Sequence, residues 1–482
     1  MTGRATDRWA AALAALHLGH SLWFARLYPD AIHDPDLLAY FVYFANWAAG
    51  VTALHDVSYF TVPKPLLVFA LGPLASAPAA FAVSALVSSA LGALVYLIAR
   101  DAFGRTPAIL ASLLLLLDVE RATLTLHSSA DLYVAFFLFA AIRCTTMRRY
   151  VLSGVAIAAA TLIKPVALPC VLHLLAVDGD DRRRARLAAL VPLLAVPLLF
   201  AANVALVGAP FGPARFFAGF DAMSQGELMP TGELVRFVVW VQLVKTSFAS
   251  TAPLGVIGLV TWVARDRRRL TSPLVLVPML FLGGYVAMSL RIPFVPFFRF
   301  FWPLQVCFSA FIVFAAVETA QSLASERPAL RAALCAALLA FLADDLVTRQ
   351  LHYRTRFAQP FQNAMAFVER ARPVLRRERA PGESLLTPLV FLPYALWTLD
   401  DARAAPSLIA TAEHAENTGD PDWILWVPHA FLDRATRDRV GRLAGSGRYT
   451  ALVSAGDAAL LARIDRQPPL ALRAPGAPAY LN

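Results

Sequence analysis

The hydrophobic positions of this chain fall into long runs, and arginines mark the gaps between the runs. Residues 187–207, 274–290 and 301–317 form three of these runs. Each run is close to the roughly 20 residues that an α-helix needs to cross the hydrocarbon core of a bilayer. The pattern therefore predicts a chain that crosses a membrane several times.

The number of crossings follows from breaking the apolar runs wherever charged residues interrupt them. We expect an all-α polytopic membrane domain of about eleven transmembrane helices over residues 1–350, with four central runs shorter than a full crossing. The first run lacks a small-residue cleavage site, so we expect it to remain as a span. The predicted spans cover residues 8–28, 76–100, 106–119, 132–147, 150–163, 165–178, 187–208, 235–264, 271–290, 300–320 and 330–348.

The placement of the arginines predicts the orientation of these spans. Cytoplasmic connections carry an excess of Lys and Arg, and a cytoplasmic N-terminus puts every dense arginine cluster before residue 340 on that side. An odd number of spans then leaves the C-terminal part outside. The clusters comprise Arg100 and Arg105, Arg148 and Arg149, Arg182 to Arg184 with Arg186, Arg265 with Arg267 to Arg269, and Arg327 with Arg331.

Composition changes after about residue 350, where charged residues become frequent and the apolar runs shorten to strand length. Residues 407–410, 423–427 and 449–454 each suit a short buried strand, and residues 454–457 suit a hairpin turn. Residues 430–443 have the apolar spacing of a helix. We therefore expect residues 351–482 to form a small soluble α/β domain, which the orientation above places on the outer, periplasmic side.

The overall composition excludes an ordinary soluble enzyme. Hydrophobic side chains make up 58% of the chain and charged ones 16%, whereas soluble domains average about 45 to 50% and about 25%. The net charge of +10 does not indicate a nucleic-acid partner, because the basic residues sit at the ends of apolar runs and mark topology. The four cysteines lie in or beside apolar runs without metal-like spacing, which favours buried thiols.

The first outer connection, residues 28–63, contains the first candidate for chemistry. Asp34 and Asp36 lie two residues apart just after the first span. Such a pair can bind a divalent cation through carboxylate oxygens, or supply a general base to a hydroxyl group. The alternative is a helix N-terminus, where either Asp caps the helix and Pro35 occupies its first turn. The residues alone leave both interpretations open.

Lysines at the ends of apolar runs are the second kind of candidate. Lys64 opens an apolar helix, and Lys164 and Lys245 interrupt apolar runs. A lysine at the interface commonly extends its ammonium to the lipid headgroups. It can also pair with a lipid phosphate and offset the charge of a phosphate leaving group. Lys164 can equally mark the outer turn between two short spans.

The order of these motifs resembles the GT-C superfamily of membrane glycosyltransferases. The resemblance rests on the acidic motif followed by Tyr40, on the Lys64-Pro65-Leu66 element and on the span that ends in Arg100. Asp131, directly before a span, resembles the second outer acidic site of that family, and Arg299 resembles the basic residue of its late outer loop. The resemblance covers most of residues 1–320. Within the superfamily, the sequence looks most like the bacterial relatives of protein O-mannosyltransferases and of the lipid A aminoarabinose transferase.

The resemblance implies an inverting glycosyltransferase that transfers a monosaccharide from a polyprenyl-phosphate donor to an acceptor at the outer face of the bacterial inner membrane. Asp36 matches the catalytic aspartate of the family best, and Asp34 is the second choice. Lys64 and Arg299 match the family's residues near the donor phosphate, and Lys164 is a further candidate ligand of that phosphate because it interrupts an apolar run. The implied acceptor is a glycan, lipid or protein of the cell envelope.

Partners and cofactors follow from the same resemblance. The chain would bind the polyprenyl-phosphate-linked sugar and membrane lipids, and no nucleic acid. Because the leaving phosphate carries its charge away with the lipid, we expect no obligatory metal or other cofactor, although the acidic motif is compatible with a divalent cation. Leu66 and Phe300 stand where the family usually has Pro and Tyr, so the subfamily stays open.

Two other classes of function were weighed against this one. A secondary transporter or lipid flippase would use Lys164 and Lys245 as intramembrane coupling groups, but it predicts inverted repeats and broken central helices, for which the sequence has no signal. A non-catalytic scaffold that presents the C-terminal domain would leave the order of the outer charged residues unexplained. We therefore favour the glycosyltransferase.

Overall fold

A computed structural model provides the structure of the protein. It describes residues 7–32, 35–50, 64–207, 252–291, 302–322, 359–380, 383–386, 408–409, 420–427 and 434–465, together with residue 329. The predicted span over residues 330–348 lies outside these ranges.

The described part of the membrane domain is helical, as predicted. Short 3-10 segments at Pro29–Ile32, Gly72–Leu74, Pro165–Val171, Gly179–Asp181 and Arg267–Thr271 connect the α-helices. The α-helices are α1 (Arg8–Leu27), α2 (Pro35–Ala48), α3 (Pro65–Leu71), α4 (Ala77–Phe103), α5 (Arg105–Leu117), α6 (Val119–Leu126), α7 (Ala130–Thr146), α8 (Tyr150–Ile163), α9 (Leu172–Leu175), α10 (Arg182–Ala188), α11 (Leu190–Val207), α12 (Ala252–Arg265), α13 (Pro273–Arg291) and α14 (Trp302–Ser322).

Length and apolar character identify the helices that can cross a bilayer. Within the described ranges, three continuous helical stretches meet both criteria: Ala77–Phe103, Gly179–Leu206 and Trp302–Ser322. The pair α6 and α7 would make a fourth, although the two helices meet at an angle of 113°. Several shorter apolar helices, among them α5 and α8, have 10 to 17 residues. The polytopic helical fold is thus confirmed, while the count of about eleven spans stays a prediction.

Small residues allow the helices to pack closely. A Cβ at Gly92 of α4 would lie 2.3 Å from a ring carbon of His17 in α1, and one at Gly154 of α8 would lie 2.5 Å from the carbonyl oxygen of Ala188. A larger residue at Gly92 would require the His17 ring to move, and one at Gly154 would require the backbone at Ala188 to move. This use of small residues is typical of helix packing in membranes, where close contact replaces hydrophobic burial as the driving force.

Charged pairs gather at one end of the helical bundle. Asp7 caps α1 and is paired with Arg100 near the end of α4, so these two helices run antiparallel. Asp101 is paired with Arg143 near the end of α7. Residues 29–32, at the other end of α1, contact the later helix Gln359–Glu378. The arginines of these pairs and the helix Gln359–Glu378 therefore lie at opposite ends of the bundle.

The C-terminal part is a small mixed sheet with helices, which confirms the predicted α/β class. Its strands are β1 (Leu385–Leu386), β2 (Leu408–Ile409), β3 (Trp423–Trp426), β4 (Tyr449–Ala455) and β5 (Ala458–Arg463), and their order in the sheet is β2-β1-β3-β5-β4. The helices are α15 (Gln359–Glu378) and α16 (Arg434–Ala444). The hairpin turn at Gly456 (φ 56°) lies where the sequence predicted it.

Candidate active site

Asp131 lies where the chain turns from α6 into α7. Ser129 caps α7, and its Oγ accepts a hydrogen bond from the Asp131 amide at 3.4 Å. The first turn of a helix favours a negative charge, because the free amide groups there point outward. The Asp131 side chain is nevertheless only 2% exposed, so its carboxylate requires a buried partner.

Lys164 provides that partner from the end of α8. The residue before a proline is disfavoured in helical conformation, and Lys164 leaves the helix with φ −137° and ψ 112° ahead of Pro165. Its ammonium donates to Oδ1 of Asp131 at 2.5 Å, and its side chain is 12% exposed. Because both groups are largely buried, their attraction is screened far less than that of a surface pair. The sequence separated these two residues into different candidate sites, and the fold joins them.

Tyr285 completes the cluster from α13. Lys164 donates a second hydrogen bond to the Tyr285 hydroxyl at 3.2 Å. Gly284 makes this contact possible, because a Cβ at Gly284 would lie 2.4 Å from the carbonyl oxygen of Val166 in the segment that follows Lys164. The Tyr285 ring packs edge-on against Phe281 at 5.2 Å between centroids. Nothing in the sequence distinguishes Tyr285, because a tyrosine in an apolar run is usually a packing or interfacial residue.

The cluster lies at the end of α7 opposite the Asp101–Arg143 pair, and it contains donors of the kind that can bind an anion. A lysine ammonium has three donors and no acceptor, and a neighbouring tyrosine hydroxyl can donate as well. The Asp131 carboxylate orients the Lys164 ammonium. The same contacts would also serve a structural ion pair between α7, α8 and α13. Replacing Asp131 and Lys164 together by neutral residues distinguishes the two roles, because it removes an anion site but leaves no unpaired buried charge.

A second lysine, Lys64, lies against the helix that carries the acidic motif. Lys64 precedes α3, which begins at Pro65, and its Nζ lies 5.4 Å from the centroid of the Tyr40 ring. A cation within about 6 Å of a ring centroid is attracted to the ring face. Tyr40 is only 2% exposed. The Lys-Pro element and the helix after the acidic motif, which the sequence predicted to act together, are therefore in contact.

The other predicted site residues are described in part or not at all. The backbone of Asp36 forms the second residue of α2, one turn before Tyr40, as predicted. Asp34, Arg299 and Lys245 lie outside the described residues. In the ranges that the structure describes, no three His, Cys, Asp or Glu side chains come close enough together to hold a metal ion.

A buried arginine in α6 was not among the residues predicted from the sequence. Arg121 of α6 is fully buried and donates to Ser88 of α4 at 2.7 Å and to Ser21 of α1 at 3.1 Å. Asp118, which caps α6, accepts a hydrogen bond from the Trp302 indole at 2.7 Å. The only signal for these contacts was the presence of charged residues between two apolar runs. That signal does not distinguish a loop facing solvent from a helix folded into the bundle.

Known proteins resemble this chain in structure and not in sequence. The structure of ArnT from Cupriavidus metallidurans bound to undecaprenyl phosphate is similar over 96% of this chain and 99% of that chain, with a TM-score of 0.55 and 15% identity. The Archaeoglobus fulgidus oligosaccharyltransferase tethered with an acceptor peptide is similar over 85% of this chain and 65% of that chain, with a TM-score of 0.52 and 14% identity.

No protein-family model matches the sequence. No curated protein matches it either. The structural similarity shows a common fold. Because the identities are only 14 to 15%, the activity has to be argued from the site. The similarity to ArnT extends from the first helices through the C-terminal sheet, so it is not a likeness of one helical bundle to another. The predicted resemblance is thus confirmed at the level of structure, and the chain has the fold of the GT-C membrane glycosyltransferases.

Proposed function

We propose that the protein is an inverting glycosyltransferase that moves one monosaccharide from a polyprenyl-phosphate carrier to an acceptor at the outer face of the bacterial inner membrane. The observation that carries this proposal is the full-length likeness to ArnT, whose structure holds undecaprenyl phosphate. The buried cluster of Asp131, Lys164 and Tyr285 supports it, because a cation oriented in an apolar site suits a lipid phosphate.

The reaction is a single displacement at the anomeric carbon. The acceptor oxygen attacks that carbon while the bond to the phosphate oxygen breaks, and the electron pair leaves with the polyprenyl phosphate. Asp36 takes the proton of the acceptor hydroxyl. One displacement inverts the anomeric configuration. Lys64, Lys164 and Arg299 stabilise the phosphate as it leaves, so the step needs no obligatory metal ion.

The orientation is part of the proposal. The N-terminus is cytoplasmic, the arginine-rich ends of the bundle face the cytoplasm, and the domain after residue 350 is periplasmic. Two observations support it: the paired arginines lie at one end of the bundle, and α15 contacts the segment Pro29–Ile32 at the other. The acceptor is a glycan, lipid or protein of the envelope that reaches the outer face.

The Asp36→Asn variant tests the catalytic assignment. A general base contributes about 10² to 10⁴ in rate, so sugar transfer should fall by that factor while binding of the lipid donor stays nearly intact. A helix cap gives the opposite pattern, since Asn caps a helix as well as Asp does. Transfer and lipid binding are measured on the same purified protein.

The matched control is Asp34→Asn, which removes the neighbouring carboxylate. If Asp36→Asn retains transfer and Asp34→Asn loses it, the base is Asp34. Normal transfer by both variants would remove the acidic motif from the mechanism. Loss of lipid binding in Asp36→Asn would also contradict the assignment, because a base for the acceptor does not hold the donor.

A further inference from the structure

Ser128 occupies a backbone conformation that serines rarely adopt. Its φ is 47°, in the left-handed region. The amide of Ser129 donates to the Leu124 carbonyl at 2.9 Å, and the amide of Ser128 donates to the Thr125 carbonyl at 3.2 Å. These two bonds define the Schellman motif that ends α6, in which the left-handed position is usually a glycine.

A glycine would satisfy this turn with less strain, because a Cβ in the left-handed region crowds the following carbonyl group. The serine therefore requires a compensating interaction of its side chain. Ser128 is fully buried, and its Oγ accepts a hydrogen bond from Ser84 Oγ of α4 at 2.8 Å. Ser84 Oγ also lies 2.7 Å from the Tyr133 hydroxyl of α7. The hydroxyl of Ser128 thus connects the turn to α4, where Ser84 also contacts Tyr133 of α7.

The candidate site directly follows the turn at Ser128 in the sequence. Ser129 caps α7, and Asp131, three residues after Ser128, is paired with Lys164. The bend of 113° between α6 and α7 occurs at this turn, so the direction in which α7 begins depends on it. A change of the backbone at Ser128 would change where the Asp131 carboxylate lies relative to Lys164.

We propose that Ser128, hydrogen-bonded to Ser84, is a positioning residue that aligns the Asp131–Lys164 pair for the donor phosphate. This inference rests on the proposed function, in which Lys164 binds that phosphate. Ser128 itself does not touch the lipid. The positioning role explains why a strained serine occupies the turn. A glycine there would relieve the backbone strain, but it would also remove the hydrogen bond that tethers the turn to Ser84.

The variant Ser128→Gly distinguishes the effect of backbone strain on stability from the effect of alignment on phosphate binding. Full-length protein in nanodiscs is melted and titrated with undecaprenyl phosphate. We expect a melting temperature at or above that of the wild type, because the left-handed strain is relieved. We also expect about tenfold weaker binding, which corresponds to about 1.4 kcal/mol. Ala75→Gly is the matched control, because Ala75 has a φ of 48° and is exposed. It should melt no lower than the wild type and bind normally.

Two further variants keep the result interpretable. Ser84→Ala removes the tether without touching the turn, so the double variant Ser84→Ala/Ser128→Gly should bind no more weakly than the weaker single variant. The double variant Lys164→Met/Asp131→Asn removes the ion pair itself and reports on the proposed phosphate site.

Each outcome decides whether Ser128 has the positioning role. Normal binding by Ser128→Gly, with weak binding by the double variant of Lys164 and Asp131, overturns the positioning role and retains the proposed phosphate site. Normal binding by that double variant overturns the phosphate site and the positioning role with it. A fall in melting temperature that accompanies the weaker binding of Ser128→Gly assigns the tether to stability and overturns the inference.

Discussion

At the scale of single residues, the Asp131–Lys164 pair decides between a structural and a functional interpretation of the site. Both side chains are largely buried, and they join helices that are distant in sequence. Removing one partner of a buried pair leaves an uncompensated charge in an apolar environment. Replacing both partners by neutral residues removes that penalty.

We expect Lys164→Met to lower the free energy of unfolding by about 3 to 5 kcal/mol, because the buried Asp131 carboxylate loses the charge of Lys164. The double variant Lys164→Met/Asp131→Asn should recover most of this stability. Sugar transfer should stay about 10² to 10³ below the wild type in the double variant, because one stabilising group for the leaving phosphate is missing. Thermal melting and a transfer assay on both variants measure the two effects. Recovery of transfer together with stability would make the pair structural.

At the scale of elements, the contact between α13 and the segment Pro165–Val171 places Tyr285 beside Lys164. Two adjacent glycines in α13 have different surroundings. A Cβ at Gly284 would lie 2.4 Å from the Val166 carbonyl oxygen, whereas a Cβ at Gly283 would meet no atom within 4 Å. The atom that Gly284 approaches belongs to the backbone, so the clash cannot be relieved by turning a side chain.

The two glycines therefore provide a matched pair of variants. Gly284→Ala should lower stability by about 1 to 3 kcal/mol, because α13 must move away from Val166. It should also lower transfer, since the Tyr285 hydroxyl moves with the helix. Gly283→Ala should leave transfer unchanged and stabilise by up to about 1 kcal/mol, because Ala favours the helix more than Gly does. Equal melting temperatures for the two variants would show that α13 does not pack as described.

At the scale of the whole molecule, the distribution of charge predicts the orientation in the membrane. Paired and exposed arginines lie at one end of the bundle, and α15 lies at the other end beside the segment Pro29–Ile32. Positive charge is retained on the cytoplasmic side. The C-terminal sheet and the candidate site should both face the periplasm.

Thiol labelling of intact cells tests this orientation in a variant that lacks the four natural cysteines. Ser446→Cys, at an exposed position between α16 and β4, should react with a membrane-impermeant maleimide added from outside. Thr271→Cys, exposed in the connection Arg267–Thr271, should react only after the membrane is opened. The reverse pattern would contradict the orientation and, with it, the outer placement of the site.

Much of the fold was accessible from the sequence, because it depends on periodicity and on the composition of neighbouring residues. The apolar runs predicted the helices α4, α8, α11 and α14 to within a few residues, and the strand-length runs predicted β3 and β4. The resemblance to GT-C proteins rested on the order of short motifs along the chain, and the structure confirms it for the fold. The domain boundary near residue 350 stays a prediction.

The sequence predicted single residues of the candidate site but not the contacts between them. Asp131 and Lys164 were each selected, but 33 residues separate them and no spacing rule joins such a pair. Tyr285 is 121 residues from Lys164, and it can approach Lys164 because Gly284 has no Cβ to clash with Val166. The role of Arg121 was hidden for the same reason, since its partners Ser21 and Ser88 lie on two other helices.

The sequence by itself therefore determined the membrane class, most of the helices, the α/β character of the tail and the residue types available for chemistry. These properties follow from hydrophobic periodicity and from where charge is tolerated along a chain. Only the tertiary structure decided which of those residues meet: Lys164 with Asp131 and Tyr285, and Ser84 with Ser128 and Tyr133. The physical reason is that burial of charged and polar groups requires partners, and the partners come from whichever helices the packing of small residues brings into contact.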